Sequence, residues 1–184
     1  MAVIDQRRTW RLVEERLASE SDPVRRRNLE TVLVHMKAEA AADIDGLMAT
    51  VAPDAHYHFW NGPAAGEFVG HAAVRRFYEA FAASGAEKLE HDIDGLVVDG
   101  HCVVTEGVMR IAFPGRALRA QGIAVDDVDA LYLYESRAAI MWPLNEEGLL
   151  LGEDSYFADD GFDGIADRKL SPSDIVLADG SGPA

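Results

Sequence analysis

The chain has 184 residues, 48% of them apolar, and a formal charge of −15 at pH 7. That size and apolar content support one domain with a sizeable core, while the negative charge opposes nucleic-acid backbones and anionic lipid surfaces. A lone cysteine, Cys102, excludes an intrachain disulfide, and no apolar leader or run of about 18 apolar residues occurs, so a soluble, cytoplasmic protein with neither nucleic-acid nor membrane partners is expected.

Residues 3–20 read as a helix, with Val3, Trp10, Val13 and Leu17 at helical spacing. Ser21-Asp22-Pro23 stops it and restarts a second helix that runs to about Ala41, because Asp is a good cap and Pro suits the first helical position. The apolar stripe of this helix is Leu29, Val32, Leu33, Met36 and Ala40, and His35 borders it. From Asp43 to Phe81 the sequence predicts a short helix, a turn at Pro53-Asp54, an aromatic strand from His56 to Trp60, a Gly/Pro-rich loop and a helix. The inward side of that helix is Val74, Phe77, Tyr78 and Phe81. Strict alternation over 89–94 turns His91 inward with Leu89 and Ile93 and turns Glu90, Asp92 and Asp94 outward. Asp99-Gly100 is a hairpin signal that starts a strand near His101. On that strand Val103, Thr105, Gly107, Met109, Ile111 and Phe113 share the core face. Residues 114–127 form an excursion, followed by strands over 128–142 and 149–157. The order is α+β, with one domain over 1–160 that includes the extra N-terminal helix, and an acidic, mostly irregular tail over 161–184.

The segment AADIDGLMATVAPDAHYHFWNG, followed by FVGHAAVRRFYEAF, closely resembles the opening motif of the nuclear transport factor 2-like, or SnoaL-like, superfamily, and the resemblance covers roughly 24–157. Ketosteroid isomerase, scytalone dehydratase, limonene epoxide hydrolase and small polyketide cyclases share that fold. The resemblance implies a cone: a curved antiparallel sheet wrapped around N-terminal helices, an apolar pocket within, and an outer face that pairs two copies. It says little of chemistry, since such a fold hosts enzymes, binding proteins and assembly modules. Against ketosteroid isomerase, the oxyanion-hole tyrosine falls on His35, the base on Phe59, and the second acid near Ile140. Against limonene epoxide hydrolase, the third-strand arginine and aspartate fall on Gly107 and Met109, and the last-strand aspartate near Ser155. Against scytalone dehydratase, one catalytic histidine falls on His91, the other near Gly107, and the helix Tyr-Asp pair on Glu39-Ala40. In that relative the C-terminal segment also closes the pocket, which implies a lid role for the tail.

The candidate catalytic residues are therefore His91, His35 and Tyr57, and the candidate pocket residues are Phe59, Trp60, Thr105, Met109, Tyr134, Trp142, Glu153 and Phe157. Each has a plain alternative: His91 is either a general acid/base or a core histidine bonded to backbone, and Tyr57 either a phenol donor or a core aromatic. His56 and His58 place two imidazoles on one strand face, but the sequence identifies no third or fourth ligand. No metal is assigned there, and a polar outer face is the preferred reading. The reading favours a dehydratase-, isomerase- or cyclase-like enzyme. It would act without a cofactor on a small apolar or aromatic ligand such as a cyclic ketone or polyketide-like substrate, and it would form a homodimer through the outer sheet face. The alternative is a non-catalytic ligand-binding protein or a dimeric assembly module of the same fold.

Overall fold

The computed structural model describes residues 2–182. Its first elements are a two-residue strand, β1 (Ile4–Asp5), a single 3-10 turn over Gln6–Arg8 and helix α1 (Arg11–Ser19). The expected helix over 3–20 is thus cut short, for two reasons. Ile4 pairs with a strand from the far end of the chain, and the Asp5 side chain caps the 3-10 turn by accepting from the Arg7 amide. Helix α2 (Pro23–Ala40) begins where the sequence places it, with the Asp22 side chain accepting from the Val24 and Arg25 amides. Next come α3 (Ile44–Met48), β2 (Val51–Phe59), β3 (Gly66–Val69) and α4 (His71–Ser84), which ends on Gly85 in the left-handed conformation. Strand β2 starts ahead of the expected His56 and carries Pro53 where its ladder with a neighbouring strand is interrupted, between Val51 and His56.

The remaining strands are β4 (Leu89–Val98), β5 (Cys102–Pro114), β6 (Leu131–Pro143) and β7 (Leu150–Phe157), with a short helix α5 (Gly115–Ala120) inside the expected excursion. A curved, unclosed sheet runs in the order β3-β2-β7-β6-β5-β4, antiparallel throughout except for the parallel β2–β7 pair. Helices α2 and α4 pack on one face of it, around a core that joins Leu29 and Val32 of α2 to Val103 and Tyr134 of the long strands, with a second cluster of Tyr57, Val74 and Tyr78 at the β2 end. At Gly107 strands β4 and β5 come so close that a β-carbon would lie 2.2 Å from the Asp92 carbonyl oxygen, so only glycine fits this position.

The segment after 160 departs from the expected irregular tail. It forms β8 (Lys169–Leu170) against β6 and β9 (Ile175–Val176) parallel to β1. Its apolar residues explain this: Phe162 packs on Phe113 and Tyr134, and Ile175 is buried with Ile4 and Ala112. The strap therefore covers strands β5 and β6. Alternation also misplaces Glu90, which is fully buried under the N-terminal segment rather than outward.

Candidate functional site

Polar groups converge on an otherwise apolar cavity because three elements each deliver one or two of them. In α2, His35 and Glu39 are one turn apart and share the face turned to the sheet. In α4, Tyr78 belongs to the apolar stripe but carries its hydroxyl to the bottom of the cavity. In β7, Glu153 and Ser155 alternate inward while Asp154 and Tyr156 point out.

The hydrogen bonds among these groups have a fixed direction. Thr50 Oγ1 donates its single proton to the Leu47 carbonyl at 2.6 Å, so it can only accept from His35 Nδ1, 2.7 Å away. His35 therefore carries its proton on Nδ1, and its Nε2 accepts from the Tyr78 hydroxyl at 3.0 Å. The Tyr78 oxygen also lies 3.2 Å from Glu153 Oε2, and with its own proton given to His35 that contact is complete only when Glu153 supplies the hydrogen. Turning Tyr78 toward an ionised Glu153 would leave a buried imidazole nitrogen without a donor, at about 1–3 kcal/mol. On the other side of the carboxyl, Ser155 Oγ donates to Glu153 Oε1 at 2.9 Å.

Burial raises the Glu153 carboxyl to about 7, against the downward pull of the Ser155 hydroxyl that donates to it. Glu39 has no hydrogen bond to hold it down, so burial and then the charge of Glu153 raise it to about 8. Desolvation lowers His35 to about 3 and His91 to about 4, the latter partly offset by the Ala138 carbonyl, so both rings are neutral near pH 7.

The outer chamber has Phe59, Phe77, Phe81 and Phe157 among its walls and Pro63 and Ala64 at its edge. Glu39 and Glu153 stand at its inner end. They also border a deeper recess lined by Thr9, Met36, His91 and Trp142. His91 Nε2 is buried there without a hydrogen-bond partner, while its amide donates to Thr9 Oγ1 at 3.1 Å.

Of the residues singled out from the sequence, Phe59, Met109, Glu153 and Phe157 line the chamber, and His91 and Trp142 line the recess. Behind Tyr78 lie His35 and Tyr57, whose ring centroids are 5.6 and 6.1 Å from its own; the Tyr57 hydroxyl is buried without a partner. Thr105 accepts from Trp142 Nε1 at 3.1 Å. Tyr134 packs between Phe157 and Phe162, away from the chamber lining, and Trp60 is half exposed on the outer face. The chamber-lining residues all come from before the tail, which does not cover the chamber. Glu39, Tyr78, Thr50 and Ser155 were not singled out as site residues. Glu39 left one signal, standing one turn beyond His35 where scytalone dehydratase has its helix tyrosine.

Several solved structures share the architecture. A nuclear transport factor 2-like protein from Burkholderia xenovorans LB400 is 17% identical over 76% of this chain and 95% of its own, with a TM-score of 0.57. A protein of Shewanella denitrificans OS-217 described as a SnoaL-like polyketide cyclase is 14% identical over 79% and 98%, with a TM-score of 0.61. TerC, co-crystallised with polyporic acid, is 16% identical over 77% and 98%, with a TM-score of 0.57. No curated protein matches the sequence. The profile of the SnoaL-like domain matches residues 32–130, more than half of the chain. This match, with the cone-shaped sheet and its internal cavity, places the protein in the SnoaL-like family.

Proposed function

We propose that the protein is a cofactor-free acid/base enzyme of the isomerase, cyclase or dehydratase kind, acting on a small apolar or aromatic cyclic ketone or polyketide-like substrate. The observation that carries this reading is the pair Glu39 and Glu153, two carboxyls with raised proton affinity at the inner end of one apolar chamber. Between about pH 7 and 8 the pair holds one proton, so the protonated carboxyl acts as the acid and its ionised partner as the base. The ionised carboxyl removes a proton next to the substrate carbonyl as the protonated one gives its proton to the carbonyl oxygen, which yields a neutral enol. The enol then collapses with the two roles exchanged, or attacks a second carbonyl of the same chain. His91 Nε2 offers a neutral ring nitrogen to a further substrate oxygen in the recess. His35 and Tyr78 are positioning residues that orient the Glu153 carboxyl, with Tyr57 packed behind them. TerC's co-crystallisation with polyporic acid supports a small-molecule ligand for a cavity of this fold.

The same reading places the protein in the cytoplasm, which suits its single, half-buried Cys102. It also pairs two copies through the outer sheet face, where Trp60 is 53% and Tyr156 40% exposed. Among the described residues no helix is long and apolar enough to cross a membrane. The test is exchange of the α-protons of 2-tetralone in D2O, followed by NMR. Wild type should exceed buffer, and Glu39→Gln should lose about 10²-fold or more of that excess. Binding of the ketone with no excess exchange would replace the enzyme reading with a ligand-binding one.

A further inference from the structure

We propose that His56, His58 and Glu67 form a surface site for one divalent cation of the zinc class, on the sheet face opposite the chamber. Along β2, Tyr57 and Phe59 point into the core, so His56 and His58 share the outer face. The β2–β3 register supplies what the sequence spacing lacked. Glu67 is the cross-strand partner of His58, and its Oε1 reaches to 2.7 Å from His56 Nε2. One donor atom from each of the three residues lies within 4.8 Å of the other two.

The imidazoles are also held in place. The ring of His56 stacks on His58 at 6.2 Å and 11°, His58 stacks on Trp60 at 3.8 Å, and Trp60 in turn stacks on Tyr156 at 5.6 Å. This ladder fixes both imidazole planes, so little rotamer freedom remains to be lost on binding. Around a tetrahedral ion with bonds of about 2.1 Å the donors stand about 3.4 Å apart, so the His56–Glu67 pair must open from 2.7 Å and the wider separations, within 4.8 Å, must close. Glu67, 56% exposed and on an edge strand, has the torsional freedom to do this.

Two imidazoles and a carboxylate are a borderline set that selects Zn2+, Co2+, Ni2+ or Cu2+ over Mg2+ and Ca2+, which prefer all-oxygen shells. Three protein ligands leave one position open toward solvent. Asp154, in register with His58 on the other flank, adds negative charge on the same face. The site is separate from the chamber and takes no part in the chemistry proposed there.

Isothermal titration of the full chain, prepared without a polyhistidine tag, should show one Zn2+ per chain and no heat with Mg2+. His56→Gln, His58→Gln and Glu67→Gln should each weaken Zn2+ binding by about tenfold or more, and α-proton exchange by Glu67→Gln should equal wild type. Absence of Zn2+ binding, or affinity unchanged in all three variants, overturns the proposal and leaves the His56–Glu67 contact a simple ion pair. Should a variant fail to fold, the visible spectrum of wild type with Co2+ decides. Bands of nitrogen-ligated Co2+ support the site, and the spectrum of the hydrated ion overturns it.

Discussion

Glu90 and Glu39 are both glutamates withdrawn from water, and the fold provides for them in opposite ways. Around Glu90 it gathers Arg110 at 2.8 Å, Arg8 at 3.2 Å and the Asp5 amide. Burial still raises the Glu90 carboxyl, but the amide and the two guanidiniums offset part of that rise. Among the described residues Glu39 has no cation or hydrogen bond to do the same; around it stand apolar wall, Tyr78, Ser155 and a second carboxyl. A buried charge that is fully provided for is structural, whereas one left without partners is available to a ligand.

This contrast is broken or sharpened first by stability. Glu90→Ala leaves the Asp5 amide without its acceptor and takes one carboxylate from Arg8 and Arg110, though Arg110 keeps Glu135, and should lower the unfolding free energy by about 2–3 kcal/mol in urea melts. By the same measurement Glu39→Gln should lose no stability at pH 7 and should gain on wild type, because no partner is lost and the variant has no carboxyl whose proton affinity rises on folding. Equal losses would mean that Glu39 is structural after all. Next in size, Glu153→Gln should cost about 10²-fold in 2-tetralone exchange, the mark of an acid group rather than a wall. A smaller effect belongs to Tyr78→Phe, which removes the donor to His35 Nε2 and should destabilise by about 1–3 kcal/mol. Nitrogen-15 NMR of His35 would check it, since Nε2 should move toward the shift of an unbonded ring nitrogen.

The contrast also shows in the pH dependence of stability. Glu39 and Glu153 bind protons more tightly folded, at about 8 and about 7, than at their ordinary value of 4.5. Their contribution is therefore full below about pH 4.5 and is lost as pH rises through 7 and 8. Thermal melts should show Glu39→Gln gaining on wild type between pH 6 and 9, and parallel curves would remove the raised proton affinity.

Local signals read well from the sequence. The Asp22 cap, the α4 stripe and the inward turn of His91 each depend on residues within a few positions of one another. What stayed hidden depends on distant partners. Tyr78 looked like any core aromatic until β7 brought Glu153 to it, 75 positions on, and His35 came 43 positions back. Glu90 looked solvent-facing because alternation cannot foresee a covering N-terminal turn 82 positions earlier. Glu67 gave no metal signal because only the β2–β3 register sets it against His58. Family resemblance supplied the cone but reached the site only at His91 and Glu39, since other acid/base positions of the named relatives fall here on Phe59, Gly107 and Met109.

The parallel pairing of β1 with β9 has a consequence for the order of assembly. Near it, the Ala178 amide bonds to Gln6 Oε1 across 172 positions, so this seam closes almost the longest loop the chain can make. Such a closure gains nothing until the sheet beneath it exists, which makes it a late event in folding and an early one in opening. Because Asp5 and Arg8 sit on the same segment, each opening of the seam also admits water to Glu90. The main-chain amides of Ile4 and Ile175 should therefore exchange with solvent together, ahead of those in β5 and β6, as one small cooperative unit whose opening is a first step of unfolding.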